Sequence, residues 1–126
     1  MKSLDKNYEI KAELEEVWQA LVDPKIIEEW GAGPAEMSDE VGFRFKLWDG
    51  DIWGKNIKVE KNKKLVQEWF SGKWDQPSVV EFVLNYEDGV ATLNLKHSSI
   101  PDGEFEDISN GWDDYYIGPM KELLEK

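Results

Sequence analysis

Apolar residues recur at helical spacing over residues 104–126, and the rest of the chain is organised around this stretch. Its apolar stripe consists of Ile108, Trp112, Tyr115, Tyr116, Met120, Leu123 and Leu124. Such a stripe predicts a long helix with one face packed against an apolar surface. Pro119 cannot donate the helical hydrogen bond, so we expect a kink or break there. We expect Gly111 to let the helix backbone approach a neighbouring element closely.

Apolar and polar residues alternate through the middle of the chain, which predicts antiparallel strands with one apolar face. The expected strands lie at residues 43–47, 51–60, 65–70, 78–86 and 90–97. Asp49-Gly50 and Asp88-Gly89 predict tight turns, because glycine accepts the positive φ that such turns need. Weaker alternation over residues 4–11 predicts one more strand, at the edge of the sheet.

Two short helices are expected between the first strand and the others. Residues 13–21 have apolar side chains at helical spacing. Residues 25–30 form the second helix, which Asp23 caps and Pro24 begins. A meander with one apolar face needs cover on that face, and the terminal helix can supply it. The sequence therefore predicts an α+β helix-grip fold: a curved antiparallel sheet wrapped around a long C-terminal helix, with two short helices after the first strand. We expect a single domain over residues 1–126.

The composition excludes several classes of function. The absence of cysteine rules out disulfides, thiolate metal sites and cysteine nucleophiles. The net charge of −12 repels phosphate backbones and anionic lipids, so we expect no nucleic acid and no membrane as a partner. No apolar run approaches the ~20 residues of a membrane span, and the first residues lack the apolar segment of a secretory signal. We expect a cytoplasmic protein whose acidity serves solubility or attracts a basic protein partner.

No catalytic residue, metal site or cofactor is predicted. His97 is the only histidine, and one imidazole without cysteine makes no metal site. Alternation places His97 on the inner face of the last strand. There it is either hydrogen-bonded to a neighbour or a polar handle at the mouth of a cavity. Paired carboxylates such as Asp113-Asp114 have the pattern of solvated faces, and the glycines lack phosphate-loop spacing.

The seven tryptophans, four tyrosines and five phenylalanines support two hypotheses. They fill a solid core, since protein interiors are normally close-packed, or they wall a pocket of a few hundred Å³, the usual scale of a ligand site. The candidate ligand-binding residues are Phe45, Trp69, Phe82, Leu93, Leu95, His97, Trp112, Tyr115 and Tyr116. The last two and His97 would be the polar groups of the pocket. Both hypotheses stay open at this point.

Six segments resemble, in order and with similar spacing, the activator of heat shock protein 90 ATPase homologue family. They are VWQAL (17–21), DP (23–24), FRFKLWDG (43–50), KLVQEW (64–69), IPDGE (100–104) and GWDDYY (111–116). This family belongs to the START-like (SRPBCC) superfamily, so the resemblance implies the helix-grip fold. The chain is similar to single-domain relatives, because nothing in it corresponds to the separate N-terminal domain of the eukaryotic activator.

The resemblance implies a choice of functions. Members of the superfamily use the cavity for lipids, sterols, polyketides and other apolar ligands. Our first hypothesis is therefore non-enzymatic binding of an apolar small molecule between the sheet and the C-terminal helix. The alternative is a chaperone cofactor that acts through a protein-binding surface on a heat shock protein 90 type chaperone. An enzyme of cyclase or hydrolase type is a third hypothesis, since this fold hosts some.

Overall fold

Six antiparallel strands form one curved sheet in the computed structural model, which describes residues 1–126. The strands are β1 (Lys2–Ile10), β2 (Arg44–Leu47), β3 (Ile52–Glu60), β4 (Lys64–Ser71), β5 (Ser78–Glu87) and β6 (Val90–Ile100). Their order in the sheet is β1-β6-β5-β4-β3-β2. β1 therefore lies at one edge and β2 at the other, which confirms the edge position predicted for the first strand.

Two helices follow β1, and a longer, irregular helix ends the chain. They are α1 (Leu14–Val22) and α2 (Pro24–Trp30), then α3 (Phe105–Gly111), a π-helical segment (Trp112–Ile117) and α4 (Gly118–Leu124). The predicted cap of α2 is confirmed, because Oδ1 of Asp23 accepts the amide hydrogen bond of Lys25 at 2.9 Å. None of the helices is long and apolar enough to cross a membrane. The architecture is the predicted α+β helix-grip fold.

The inner face of the sheet and the helices share one hydrophobic core of 27 buried residues. β6 shows how the sequence produces it. Ala91, Leu93 and Leu95 are buried, while the residues between them are partly or fully exposed. Successive side chains of a strand point to opposite faces, so strict alternation assigns one face to the core. The terminal helix covers that face with Trp112, Tyr116 and other apolar side chains.

Positive φ angles form the turns between strands. Asp88 (52°) and Gly89 (81°) make the predicted two-residue turn between β5 and β6. The connection from β2 to β3 is longer than the predicted tight turn, because Trp48, Asp49 and Gly50 form a 3-10 turn and all have positive φ. In this turn the ring of Trp48 packs near that of Tyr116, with centroids 6.3 Å apart.

The helix irregularity lies before Pro119 rather than at it. A proline lacks the amide donor and crowds the carbonyl four residues earlier. In the structure the hydrogen-bond ladder widens, and the amide of Gly118 donates to the carbonyl of Asp113, five residues back. The helix therefore continues through Pro119 instead of breaking. Position 118 suits glycine, because a Cβ there would collide with the Asp113 carbonyl oxygen.

The expectation of a close backbone approach at Gly111 is wrong. A Cβ built on Gly111 would meet only a ring carbon of Tyr115, at 3.9 Å, which is an ordinary contact. No neighbouring element crowds the helix at this position. Gly111 instead borders an open cleft.

Polar contacts from β1 fix the position of the π segment. Asp113 accepts hydrogen bonds from the hydroxyl of Tyr8 at 2.7 Å and from Nζ of Lys6 at 2.9 Å. The hydrogen bond from Tyr8 is the main cause that lowers the pKa of Asp113. Lys6 also donates to the carbonyl of Ser109 at 2.8 Å. The edge strand thus ties down the part of the helix that borders the cleft.

Candidate functional site

A cleft of about 360 Å³ opens between the terminal helix and the end of the sheet where β3 begins and β4 ends. Its lining residues are Trp48, Asp51, Ile52, Trp69, Ile108, Gly111, Trp112, Tyr115 and Tyr116. Seven of the nine are hydrophobic. Both the volume and this composition are typical of small-molecule sites.

Aromatic rings form most of the wall. The ring of Trp112 packs against those of Trp69 and Tyr116, with centroid distances of 4.9 and 4.7 Å. These three residues are buried, whereas Tyr115 is 67% exposed and stands at the mouth. The rings are therefore in contact with one another on the core side, and the free space lies in front of them.

Secondary structure explains how these side chains meet. Ile108, Trp112 and Tyr116 follow one another at intervals of four residues, so they lie on the same face of the helix. Trp69 lies on the inner face of β4, where alternate residues are buried. Trp48 comes from the β2–β3 turn, whose positive φ angles interrupt the strand pattern.

A buried chain of hydrogen bonds holds Trp112. Its indole Nε1–H donates to Nδ1 of His97 at 3.1 Å. An indole nitrogen can only donate, so this bond assigns the ring proton of His97 to Nε2. Nε2–H then donates to Oγ of Ser78 at 2.8 Å, and the hydroxyl of Ser78 donates to the carbonyl of Trp69 at 3.2 Å. Burial lowers the pKa of His97 to about 4, which keeps the ring neutral and able to accept.

A second buried chain holds Trp69. Its Nε1–H donates to Oε1 of Gln67 at 2.8 Å, and Nε2 of Gln67 donates to Oδ1 of Asn56 at 2.9 Å. Nδ2 of Asn56 in turn donates to the carbonyls of Ser38 and Glu40, at 2.9 and 3.1 Å. Side chains with satisfied polar atoms resist rotation, so both tryptophans form a preorganised wall.

Tyr116 differs from these two tryptophans because its polar atom has no partner. The residue is 2% exposed, and its hydroxyl makes no hydrogen bond. Burial raises the pKa of this hydroxyl, so it stays protonated. An unsatisfied buried hydroxyl costs about 1–3 kcal/mol of stability. Nε1 of Trp18 is also unpartnered, but Trp18 does not line the cleft.

The structure divides the nine candidate residues into two groups. Trp69, Trp112, Tyr115 and Tyr116 line the cleft. The other five do not line it and are buried in the core: Phe45, Phe82, Leu93, Leu95 and His97. His97 is 1% exposed and lies behind the wall, hydrogen-bonded to its neighbours, rather than at the cavity mouth.

Sequence reasoning missed the remaining lining residues and the second polar chain. The missed lining residues are Trp48, Asp51, Ile52, Ile108 and Gly111. Ile108 carried a signal, because it precedes Trp112 by one helical turn in the apolar stripe. Gln67 carried one too, because alternation with the buried Trp69 places it on the inner face. The turn residues carried none, since periodicity applies only within regular elements.

The cleft contains little ionisable chemistry. Asp51 is its one lining residue that is charged at neutral pH, and no lysine, arginine or histidine lines it. No group of three or more histidine, aspartate and glutamate side chains in the structure could hold a metal ion. The cleft lacks the adjacent nucleophile and base that covalent catalysis requires. Its residues can stack on, enclose and hydrogen-bond a ligand.

The family described as "Activator of Hsp90 ATPase homolog 1-like protein" matches residues 11–125. The chain belongs to this family. It is 29% identical over 123 residues to an uncharacterized protein of Schizosaccharomyces pombe. The match covers 96% of this chain and 37% of that protein. It is 23% identical over 114 residues to the activator of 90 kDa heat shock protein ATPase homolog 2 of Mus musculus. This match covers 89% of this chain and 34% of the relative.

The chain therefore spans about a third of the length of these curated relatives. Among solved structures it is similar to an HSP90 activator from Plasmodium falciparum, with a TM-score of 0.91 and 24% identity. That similarity covers 98% of this chain and 96% of the other. At this identity the likeness establishes the fold alone. The predicted family membership is confirmed.

Proposed function

We propose that the cleft binds an apolar small molecule without transforming it. The observation that carries this proposal is Tyr116, a residue that lines the apolar cleft and whose buried hydroxyl has no hydrogen-bond partner. A phenylalanine would fill the same space without the penalty of the unsatisfied hydroxyl. A bound molecule with one polar atom near Tyr116 would supply the missing hydrogen bond and cover the apolar wall.

The preorganisation of the wall supports the same proposal. A ligand that enters the cleft does not have to order Trp69 and Trp112, since hydrogen bonds already hold both indoles. Binding then loses little side-chain entropy, which otherwise costs about 0.5–1.5 kcal/mol for each immobilised side chain. The lining offers no paired acid and base around a reacting atom, which favours binding without a reaction.

A titration with 1-naphthalenemethanol tests this function, because the probe combines a flat apolar body with one polar atom. We expect saturable shifts of the amide resonances of Ile52, Gly111 and Trp112, with the outer-face residue Val79 unmoved. Gly111 lines the cleft, and an added Cβ there meets only a Tyr115 ring carbon at 3.9 Å, so Gly111→Leu should fill the cleft and weaken binding at least tenfold.

Gly103→Leu is the matched control. An added Cβ at Gly103 has no atom within 4 Å, but Gly103 lies in an exposed turn and does not line the cleft. Its binding should equal that of the wild type. Scattered surface shifts, or equal binding by both leucine variants, would contradict the proposal. Circular dichroism of both variants checks that each is folded.

A second candidate function is that of a cofactor for a heat shock protein 90 type chaperone. The observation in its favour is the family itself, in which the mouse relative is named as an activator of that chaperone's ATPase. A chain with a net charge of −12 would meet a basic surface, and attraction between exposed charges is screened beyond about 8–10 Å at physiological salt. Stimulation of ATP turnover in the organism's own chaperone should therefore fade as salt rises. No stimulation at high micromolar concentration would eliminate this candidate.

The cytoplasmic location and the single domain over residues 1–126 remain predictions. Both functions are compatible with them. The titration and the ATPase assay are independent, so either function can fail without affecting the other.

A further inference from the structure

We propose that the ligand of the cleft is an organic cation, an ammonium group attached to a flat apolar body. This inference rests on the proposed function and adds the sign of the ligand's charge. It follows from three features of the cleft: the charges at its border, the aromatic character of its lining and the unpartnered hydroxyl of Tyr116.

The charges at the border are negative. Asp51 lines the cleft, and Asp107 and Asp114 directly precede the lining residues Ile108 and Tyr115 in the helix sequence. All three carboxylates are exposed, and none of them forms a salt bridge. No cationic side chain lines the cleft to balance them. An anionic ligand would therefore enter a negative potential without a counter-charge, whereas a cation would be attracted.

The rings favour a cation over a neutral molecule. Five of the nine lining residues are tryptophan or tyrosine. The faces of these rings carry the negative part of the aromatic quadrupole, and tryptophan attracts cations most strongly. Clefts that combine several such rings with a carboxylate are suited to ammonium groups, because the rings replace the water that the cation loses and the carboxylate balances its charge.

The hydroxyl of Tyr116 fits the same ligand. Its oxygen can accept a hydrogen bond from an ammonium N–H, since a phenolic hydroxyl both donates and accepts. A carboxylate ligand could also bond to this hydroxyl, as an acceptor. It would then be buried among aromatic rings without a cation beside it, and a buried unpaired charge is strongly unfavourable. The hydroxyl alone does not select the charge, but the hydroxyl, the rings and Asp51 together select a cation.

The whole molecule would assist this choice. The net charge of −12 raises the local concentration of cations around the protein and speeds their association. The acidity, for which the sequence suggested solubility or a basic protein partner, would then also serve ligand binding.

Three probes with the same ring test the inference: 1-naphthylmethylamine, which is a cation at neutral pH, 1-naphthalenemethanol and 1-naphthoate. We expect the amine to bind about three- to tenfold more tightly than the alcohol, the range for a partly exposed cation on aromatic rings next to a carboxylate. The naphthoate should bind most weakly. The advantage of the amine over the alcohol should shrink as salt rises.

The outcomes separate this inference from the function on which it rests. If either the naphthoate or the alcohol binds as tightly as the amine, the preference for a cation is overturned while ligand binding stands. If none of the three probes binds at the cleft, the proposed function fails and the inference falls with it.

Asp51→Asn and Asp49→Asn form a matched pair of variants. Both residues are exposed and lie two positions apart in the β2–β3 connection, but only Asp51 lines the cleft. Asparagine tolerates the positive φ of position 49 as well as aspartate does. Asp51→Asn should weaken the binding of the amine about two- to fivefold more than that of the alcohol, while Asp49→Asn should change neither. Equal losses in both variants would show a general charge effect and overturn the site, as would no loss in either.

Discussion

The fold should lose stability as pH falls from about 7 to about 5, because His97 is buried in its neutral form. His97 is 1% exposed, and burial lowers its pKa to about 4. In the unfolded chain the same side chain titrates near 6.5. Between these two values the unfolded state binds a proton that the folded state does not. Acid therefore favours unfolding in this range, and stability rises with pH until it levels off above the unfolded pKa.

The magnitude follows from the size of the shift. Each unit of pKa difference corresponds to about 1.4 kcal/mol, so the full effect of His97 is about 3 kcal/mol. Carboxylates begin to dominate below about pH 5, because their pKa values lie near 4. The part of the loss that belongs to His97 alone lies between about pH 6.5 and 5, and amounts to about 2 kcal/mol.

Urea unfolding followed by circular dichroism measures this loss at several pH values between about 7 and 5. His97→Gln is the control, because a glutamine amide can accept from Trp112 and donate to Ser78 but does not titrate. The comparison uses the slope of stability against pH, so a lower absolute stability of the variant does not affect it. We expect the free energy of unfolding of the wild type to decrease as pH falls from about 7 to 5, and that of the variant to stay nearly constant. Parallel slopes would refute the reasoning, since another group would then be responsible.

Four further substitutions test the packing of the terminal helix. Trp112→Ala should lower the free energy of unfolding by about 3–5 kcal/mol, because it empties a large buried site, and an unchanged urea midpoint would contradict the helix-grip packing. Tyr116→Phe should raise stability by about 1 kcal/mol, because it removes an unsatisfied buried hydroxyl; a loss of stability would mean that the hydroxyl has a partner. Gly118→Ala should destabilise because its Cβ collides with a backbone carbonyl, whereas Gly111→Ala should stabilise the helix by about 0.5–1 kcal/mol. Thermal melts compare the melting temperatures of the two glycine variants, and equal changes in both would exclude the π-helical geometry.

The sequence predicts the strands and their inner faces because a strand has a period of two. Once Leu93 and Leu95 are assigned to the core, His97 must lie on the same face, and it does. The same rule places Gln67 beside the buried Trp69. The period does not reveal what a buried polar residue bonds to, since its partner comes from another strand or from the helix. The chain from Trp112 to His97 joins residues that only the fold brings together.

The terminal helix shows a different limit. Pro119 correctly signals an irregularity, because proline cannot complete the ladder wherever it stands. The spacing of apolar residues reports which face is buried, but it does not report whether an amide bonds four or five residues back. The widening that ends at Gly118 therefore has no signature in the apolar stripe. The cleft has the same origin: whether Trp69 and Trp112 touch or stand apart depends on distances of a few ångströms.

The two tryptophans and Tyr116 differ in how their polar atoms are treated, and this difference argues against a purely structural role for the aromatic cluster. The indole nitrogens of Trp69 and Trp112 donate hydrogen bonds to buried acceptors, whereas the hydroxyl of Tyr116, in the same cluster, has no hydrogen-bond partner. A tryptophan has no near-isostere without its N–H, so its nitrogen must be satisfied or its burial is costly. A tyrosine does have one, phenylalanine, which keeps the ring and removes the penalty. A core selected only for stability would favour phenylalanine at position 116. The tyrosine is explained if its hydroxyl acts when the cleft is occupied, and then Tyr116→Phe should stabilise the free protein and weaken 1-naphthylmethylamine binding in the same variant.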